Sequence, residues 1–228
     1  MENRQHGLMR QQMIAEVVAE AVFLTQQLGK SAFDPRVIEV MGRIPRHEFV
    51  PAELQAHAYI NSPLPVGYGK TVYQPFIVAL MTDLLEPQAG DAVLEVGAGV
   101  GYQAAILSEL VKQVYSIDII EELALETRRR LARLGYRNIE IGVGNGYYGW
   151  SAHAPFDKII VTAAPDLIPP PLIAQLRAGG KMVIPAGIPD RQQLMVLEKS
   201  ADGRLATREV LPVRFYELEE GADAAGAA

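Results

Sequence analysis

Short apolar segments alternate with helical patterns through the second half of the chain, and this alternation constrains the fold more than any other feature. The segments AVLEV and KIIV are typical, and turns or amphipathic stretches separate them. Such alternation indicates a mainly parallel sheet that helices cover on both faces. We therefore predict an α/β fold with a doubly wound sheet. Its parallel strands are expected at Ala92–Val96, Gln113–Ile119, 138–144, 157–164 and 181–187.

Helical patterns also precede the sheet. Apolar residues recur at helical spacing over residues 8–28, where Gly29 supplies a stop, and again over Pro35–Met41 and Pro75–Leu85. Residues 45–73 are dense in proline, glycine and aromatic side chains, which predicts a long ordered loop and not a regular element. Loops of this length are usually functional. The helical patterns before the sheet together predict an N-terminal helical extension.

The C-terminal part of the chain favours a closing pair of strands. Residues 194–200 and 206–218 predict an antiparallel pair, and a helix is expected over residues 170–180. The small residues at 221–228 predict disorder. The expected organisation is a single domain over 1–218, with an N-terminal extension at 1–74, a core at 75–218 and a disordered tail at 219–228.

Composition excludes several classes of protein. The chain has 228 residues, of which 49% are hydrophobic, enough for one core with an appendage. It has no cysteine, which excludes disulfides, thiolate metal sites and a cysteine nucleophile. Its net charge of -6 gives no basic surface for nucleic acid. With no cysteine and four scattered histidines, no metal is expected. No apolar run is long enough to span a membrane and no secretory signal is evident, so a soluble, cytoplasmic protein is expected.

A glycine turn between the first strand and the next helix favours a nucleotide-like ligand. In the segment EVGAGVG, residues 95–101, glycines let the backbone approach a ligand with its amide groups pointing outward. Asp118 ends the next strand, where a carboxylate can accept hydrogen bonds from ribose hydroxyls. Two simpler interpretations stay open at this point. The turn could be a tight connection without a ligand, and Asp118 could cap the following helix.

The order of acid and glycines separates two classes of ligand. The dinucleotide fingerprint is G-x-G-x-x-G, whereas here Glu95 precedes the glycines at the end of the strand. A carboxylate there would repel a pyrophosphate and attract an ammonium group. S-adenosylmethionine carries an ammonium group, a sulfonium, a ribose and an adenine. We therefore predict S-adenosylmethionine as the cofactor.

The sequence resembles the protein-L-isoaspartate O-methyltransferase family from about Val37 to Leu218. The resemblance rests on VIEVMGRIPRHEFVP, AYINSPLPVGYGKTVYQPFIVALMTDLL, VLEVGAGVGYQAAILSELV, APFDKIIVTAAP, IPPPLIAQLRAGGKMVIPAG and VRFYEL. It implies a Rossmann-like methyltransferase fold with a substrate cleft at the carboxyl edge of the strands. It also implies transfer of a methyl group from S-adenosylmethionine to the free carboxylate of L-isoaspartyl residues, followed by collapse of the ester to a succinimide and partial repair.

The resemblance also implies roles for individual residues. It assigns the methionine part of the cofactor to Glu95, Gly97, Gly99 and Gly101, the ribose to Asp118, and the adenine edge to Asn145 and Gly146. It assigns the active-site position to Tyr73, within the loop GKTVYQP that covers the donor. The expected substrate-binding residues are His57, Tyr59, Gln74, Ala163 and Pro165.

Several positions depart from the family pattern. Tyr73 stands where the family usually has the serine regarded as the active-site hydroxyl, and its phenol could either orient the acceptor carboxylate or pack over the donor. The other departures are Lys70 for Gln, Asn145 and Asn61 for Asp, and the apolar Ala98 and Val100 between the glycines. These exchanges keep two alternatives open beside isoaspartyl methylation. One is a methyltransferase of the same fold with another acceptor, and the other is a donor-binding protein without turnover. The expected partner is an isoaspartyl protein or peptide, with neither nucleic acid nor membrane, and the oligomeric state is left open.

Overall fold

The computed structural model describes residues 2–219, with side chains from Arg4 onward. A seven-stranded sheet and a separate two-stranded hairpin account for its strands. The strands are β1 (Leu64–Gly67), β2 (Lys70–Val72), β3 (Ala92–Val96), β4 (Gln113–Asp118), β5 (Ile139–Val143), β6 (Phe156–Val161), β7 (Leu176–Ala186), β8 (Gln193–Lys199) and β9 (Leu205–Pro212). The helices are α1 (Glu2–Phe23), α2 (Thr25–Leu28), α3 (Pro35–Met41), α4 (Pro75–Leu85), α5 (Tyr102–Ser108), α6 (Glu121–Arg133) and α7 (Pro170–Gln175).

The large sheet has the order β5-β4-β3-β6-β7-β8-β9. Strands β3 to β7 pair in parallel, and β8 and β9 join them antiparallel. The chain runs outward from β3 to β5 and then returns to β6 on the other side of β3. Open α/β sheets bind ligands at such a switch point, outside the carboxyl ends of the strands. The predicted fold class and the closing antiparallel pair are confirmed.

Both faces of the sheet are covered, which explains why the central strands are mainly apolar. Side chains alternate between the two faces, so Val93 of β3 packs in a core shared with α4 and α5, while Leu94 packs in a second core with Leu172 of α7. All three side chains are fully buried. Glu95 shares the face of Val93 and is therefore directed into a mainly apolar core.

The predicted helices are mostly confirmed. Helices α3 and α4 have the predicted bounds, and the side chain of Asp34 caps α3 by accepting from the backbone of Arg36. The first helix begins earlier than predicted and is interrupted at Leu24, before α2. Gly29 ends α2 in the left-handed conformation with φ +70°. No described helix is long and apolar enough to cross a membrane.

The prediction of a loop without regular elements at residues 45–73 is wrong. This segment contains two short 3-10 helices, Arg46–Phe49 and Ala52–His57, and the β1–β2 hairpin. Residues 67–69 all have positive φ, and this turn reverses the chain between the two strands. The hairpin is short because prolines lie before and within β1, where they remove ladder donors.

The predicted helix over residues 170–180 is also too long. Helix α7 ends at Gln175, and Leu176 begins β7. Gly179 has φ +79°, which an α-helix does not accommodate, and the buried side chain of Leu176 packs against the sheet. The tail predicted to be disordered lies outside the described residues except for Glu219.

Candidate active site

The glycine turn follows β3 at the switch point of the sheet. Gly97 has φ +94°, and a side chain there would clash with the hydroxyl of Thr162 at the end of β6. Gly99 has φ +50° and faces open space, so a ligand can approach its backbone. Gly101 is instead packed against Thr127 and Leu131 of α6. The turn thus brings the backbone at Gly97 and Gly99 to the carboxyl edge of the strands.

Asp118 ends β4 beside this turn and is buried. One carboxylate oxygen accepts from the backbone N–H of Gly99 at 2.8 Å, and the other accepts from that of Ile120 at 3.0 Å. The side chain therefore holds the glycine turn and the segment before α6 at the same time. Each carboxylate oxygen can accept a further hydrogen bond, so these contacts leave capacity for ribose hydroxyls.

Glu95 is fully buried below the turn. The hydroxyl of Ser116 on β4 donates to its Oε2, whereas no group in the described part of the chain bonds to its Oε1. The pKa of Glu95 is raised to about 8, mainly by burial and to a smaller extent by the nearby Asp118, against the opposing effect of the Ser116 hydrogen bond. An unpaired carboxyl oxygen in this position lacks a donor, which a bound ammonium group would supply.

A cleft of about 960 Å³, counting its open mouth, lies over the turn. The residues that line it come from the β1–β2 hairpin, α4, the glycine turn, the end of β6 and the C-terminal segment. They include Lys70, Thr71, Tyr73, Met81, Glu95, Gly97, Gly99, Asp118, Ile119, Gly146, Thr162, Ala163, Tyr216 and Glu219. Of the predicted cofactor and catalytic residues, the cleft therefore brings together Tyr73, Glu95, Gly97, Gly99, Asp118 and Gly146.

Tyr73 closes one side of the cleft. Its phenol donates to the backbone carbonyl of Thr162 at 2.6 Å, and its ring centroid lies 4.4 Å from that of Phe215. Its own carbonyl accepts from the buried guanidinium of Arg46 at 2.8 Å. Burial raises the pKa of Tyr73, so the phenol is protonated at neutral pH. The phenol proton is thus engaged at Thr162.

A C-terminal strap, residues 213–219, closes the cleft from the other side. Gln192 binds the backbone of Phe215 through both its amide oxygen and its amide nitrogen, at 2.6 and 3.1 Å. The strap also bonds to the backbone of Ala164, and Glu219 pairs with Lys70 at 3.2 Å. The residue Lys70, one of the departures from the family pattern, therefore joins the hairpin to the strap. The sequence carried no signal for these long-range contacts.

An acceptor groove adjoins the cleft across the wall formed by Tyr73 and Tyr216. It encloses about 1740 Å³, counting its open mouth, and Thr71 lines both spaces. Within residues 2–219 the hydroxyl of Thr71 has no hydrogen-bond partner, and the exposed Arg214 in the groove forms no ion pair. Sequence reasoning missed Thr71, Tyr216 and Arg214 as site residues, although all three lie within the segments that carry the family resemblance.

Three predicted substrate residues lie away from the cleft and the groove. His57 is exposed at the end of a 3-10 helix, and Pro165 is buried, with its carbonyl bound to Gly187. Tyr59 is buried, and its hydroxyl lies 2.7 Å from Nδ1 of His47. An aromatic residue in a loop can face solvent or the core, and here the packing of the N-terminal extension decides.

The other predicted residues are close to the site. Gln74 lines the acceptor groove, and Ala163 lines the cleft. Asn145 is buried and accepts from the backbone of Tyr147 at 3.0 Å, which fixes the turn that places Gly146 in the cleft. Among residues 2–219, no three His, Asp or Glu side chains are grouped as a metal site requires.

The family model described as Protein-L-isoaspartate(D-aspartate) O-methyltransferase matches residues 4–223 of the chain. The chain is 60% identical over 214 residues to Protein-L-isoaspartate O-methyltransferase 1 of Polaromonas sp., covering 94% of this chain and 91% of that protein. It is 55% identical to Protein-L-isoaspartate O-methyltransferase 2 of Syntrophobacter fumaroxidans, covering 95% of this chain and 88% of that protein.

Solved structures agree with the fold. One, named protein-L-isoaspartate O-methyltransferase, aligns with a TM-score of 0.75 at 27% identity and covers 88% of this chain and 65% of that longer chain. A second structure is that of a beta-aspartate methyltransferase from Plasmodium falciparum in complex with S-adenosyl-L-homocysteine. It aligns with a TM-score of 0.72 at 21% identity, and the alignment covers 89% of this chain and 98% of that chain. The family match over nearly the whole chain, together with relatives at this level of identity, shows that the chain belongs to the protein-L-isoaspartate(D-aspartate) O-methyltransferase family.

Proposed function

We propose that this protein transfers a methyl group from S-adenosylmethionine to the free carboxylate of L-isoaspartyl residues in damaged proteins and peptides. The observation that carries the proposal is the buried, unpaired Oε1 of Glu95 beneath a glycine turn, next to a groove that opens at Thr71. The unpaired carboxyl oxygen suits a donor that carries an ammonium group, and the groove beside the cleft offers space for the acceptor. We further propose that residues 1–218 act as one domain in the cytoplasm.

The residues around the glycine turn fit the donor. Glu95 would bind its ammonium group, the backbone of Gly97 and Gly99 its methionine part, and Asp118 its ribose hydroxyls. Gly146 and Ile119 line the end of the cleft where the adenine would lie. When bound, S-adenosylmethionine would supply a methyl group carried on a positively charged sulfur, and this sulfur would be the leaving group when the acceptor oxygen attacks the methyl carbon.

The acceptor needs no general base. An isoaspartyl carboxylate has an ordinary pKa near 4 and is ionised at neutral pH. The protein therefore contributes mainly by placing the oxygen against the methyl group and by excluding water, effects that can lower a barrier by several kcal/mol. Arg214 lines the groove and would pair with the carboxylate of the acceptor, and the hydroxyl of Thr71 would donate to it.

Tyr73 acts in this account by closing the cleft. Its phenol bonds to Thr162 and its ring packs at a tilt against Phe215, so it links the hairpin, the end of β6 and the strap. We propose that this closure replaces the direct contact expected of a hydroxyl at position 73. Thr71 takes the role of the donor that orients the carboxylate.

The nature of the product tests this function. The full chain is incubated with S-adenosylmethionine labelled on its methyl group and an isoaspartyl peptide. We expect label in the peptide that is released as methanol on mild alkaline treatment, because a carboxyl methyl ester hydrolyses under those conditions. Label that survives alkali would indicate transfer to nitrogen and another acceptor. Absence of label despite donor binding would indicate a binding protein without turnover.

A further inference from the structure

A hydrogen-bonded group joins the N-terminal helix α1 to the acceptor groove. The carboxylate of Glu20 on α1 accepts from the side-chain amide of Asn61 at 2.8 Å. It also accepts from the side-chain amide of Gln74, whose nitrogen lies 3.1 and 3.4 Å from its two oxygens. Asn61 in turn accepts from the backbone N–H of Phe76 in the first turn of α4, at 3.0 Å. Glu20 therefore connects three segments at the edge of the groove.

This contact fixes the orientation of the Gln74 amide. A carboxylate accepts hydrogen bonds and has none to donate, so only the NH2 group of Gln74 can face Glu20. The amide oxygen Oε1 must then face away from Glu20. Gln74 lines the acceptor groove, and within residues 2–219 no group donates to its Oε1. The side chain thus offers an oriented hydrogen-bond acceptor to a ligand in the groove.

We infer that Glu20 is a positioning residue for acceptor recognition, and that it holds Gln74 so that Oε1 accepts a hydrogen bond from a backbone N–H of the acceptor polypeptide. The inference rests on the proposed function. An amide oxygen repels the carboxylate to be methylated but binds the peptide N–H groups beside it. The arrangement favours a carboxylate embedded in a polypeptide over a free small carboxylic acid. It also makes α1 a part of the acceptor site.

The test uses the full chain saturated with S-adenosylhomocysteine and a fluorescent isoaspartyl peptide, so that binding is measured without turnover. The variants are Glu20→Ala, Gln74→Met and the double variant. Glu16→Ala is the matched control, because Glu16 lies one turn earlier on α1, is exposed and bonds only to Gln12 among the described residues. Affinity for S-adenosylhomocysteine and the midpoint of unfolding are measured for each variant.

We expect Gln74→Met and Glu20→Ala each to weaken peptide binding roughly 2- to 10-fold, the contribution of one neutral hydrogen bond. Affinity for S-adenosylhomocysteine should stay unchanged in both. Because Glu20 acts through Gln74, the double variant should bind no more weakly than Gln74→Met alone. Glu20→Gln should retain part of the affinity, since its amide oxygen can still accept from Gln74. Glu16→Ala should behave as the parent protein.

The inference would be overturned if Glu20→Ala left peptide affinity unchanged. It would also be overturned if the two single losses of peptide affinity multiplied in the double variant. A shift in the unfolding midpoint with equal loss of donor and peptide affinity would also overturn it, because that pattern marks a merely structural residue. A parent protein that binds the peptide without methylating it would refute the proposed function alone. The peptide affinities of the single and double variants would still decide the role of Glu20. A parent protein that does not bind the peptide would refute both.

Discussion

The phenol of Tyr73 donates a 2.6 Å hydrogen bond to the backbone carbonyl of Thr162, and so ties the β1–β2 hairpin to the carboxyl end of β6. This bond lies between the donor cleft and the acceptor groove, because Tyr73 lines both. It gives tyrosine at this position a structural role. The side chain reaches across the cleft to the opposite wall and keeps its proton there.

Replacing Tyr73 by Phe should therefore loosen closure of the cleft. The loss of one hydrogen bond contributes about 1 kcal/mol, which corresponds to donor dissociation about five times faster. The rate of donor dissociation is measured by loading the protein with labelled S-adenosylmethionine and mixing it with an excess of unlabelled S-adenosylmethionine. A fall in turnover of a hundredfold or more with unchanged donor dissociation would contradict this role, and would show that the phenol acts directly on the acceptor.

Replacing Asp118 by Ala should weaken donor binding strongly. Each charge-assisted hydrogen bond to a ribose hydroxyl contributes about 1.5 to 3 kcal/mol, and the variant also frees the backbone N–H of Gly99 that holds the turn. Calorimetric titration with S-adenosylhomocysteine measures the change. Asp157→Ala serves as a control on a buried carboxylate that lies outside the cleft. Unchanged affinity in Asp118→Ala, or preferential binding of NAD, would refute the assignment of the cofactor.

Donor affinity should increase with pH because of Glu95. Its pKa in the ligand-free protein is raised to about 8, so the side chain must lose a proton before it can pair with an ammonium group. Affinity should rise by up to about tenfold per pH unit between pH 6 and 8 and then level off. Glu95→Gln keeps the shape of the side chain but cannot ionise, so this variant should bind the donor weakly at every pH. A steep pH dependence that persists in Glu95→Gln would contradict the assignment.

The same residue has a predictable effect on stability. The folded-state pKa of Glu95 lies above the value of 4.5 for an unperturbed glutamate, so its burial lowers the free energy of unfolding progressively as pH rises from about 4.5 to 8. In the absence of ligand, Glu95→Gln should therefore be more stable relative to the parent protein at pH 8 than at pH 5. Denaturant unfolding at the two pH values measures this difference.

Asn61→Asp should destabilise the protein, although Asp is common at this position in related proteins. Here the amide of Asn61 donates to Glu20, and an Asp would place two carboxylates at that distance. We expect a loss of about 1 kcal/mol in the free energy of unfolding at pH 7. Combining it with Glu20→Gln should restore stability, because Gln can donate to the new carboxylate. If Asn61→Asp lowered the free energy of unfolding equally in the parent protein and in Glu20→Gln, the side chains at positions 20 and 61 would not interact.

The parts of the site that depend on local sequence could be predicted. The glycine turn, Glu95 and Asp118 lie at fixed places between one strand and the next helix, so the order of the sheet brings them together without further information. The strap could not be predicted, because it is held by Gln192 and Ala164, which belong to distant parts of the chain. The position of Tyr59 outside the cleft has a related cause. Its burial is decided by the packing of His47 and the N-terminal extension around it.

Discrimination between an isoaspartyl peptide and its normal aspartyl twin decides whether the protein recognises the isoaspartyl linkage. The two peptides are isomers of the same charge, and they differ in whether one methylene lies in the side chain or in the backbone, so a carboxyl methyltransferase without selectivity for the linkage would treat them alike. In a methyl-transfer assay with the full chain and saturating S-adenosylmethionine, kcat/KM for the isoaspartyl peptide should exceed that for its twin by at least about a hundredfold, equivalent to roughly 2.7 kcal/mol. Equal methylation of both peptides, or transfer to neither while the donor binds, would contradict the account.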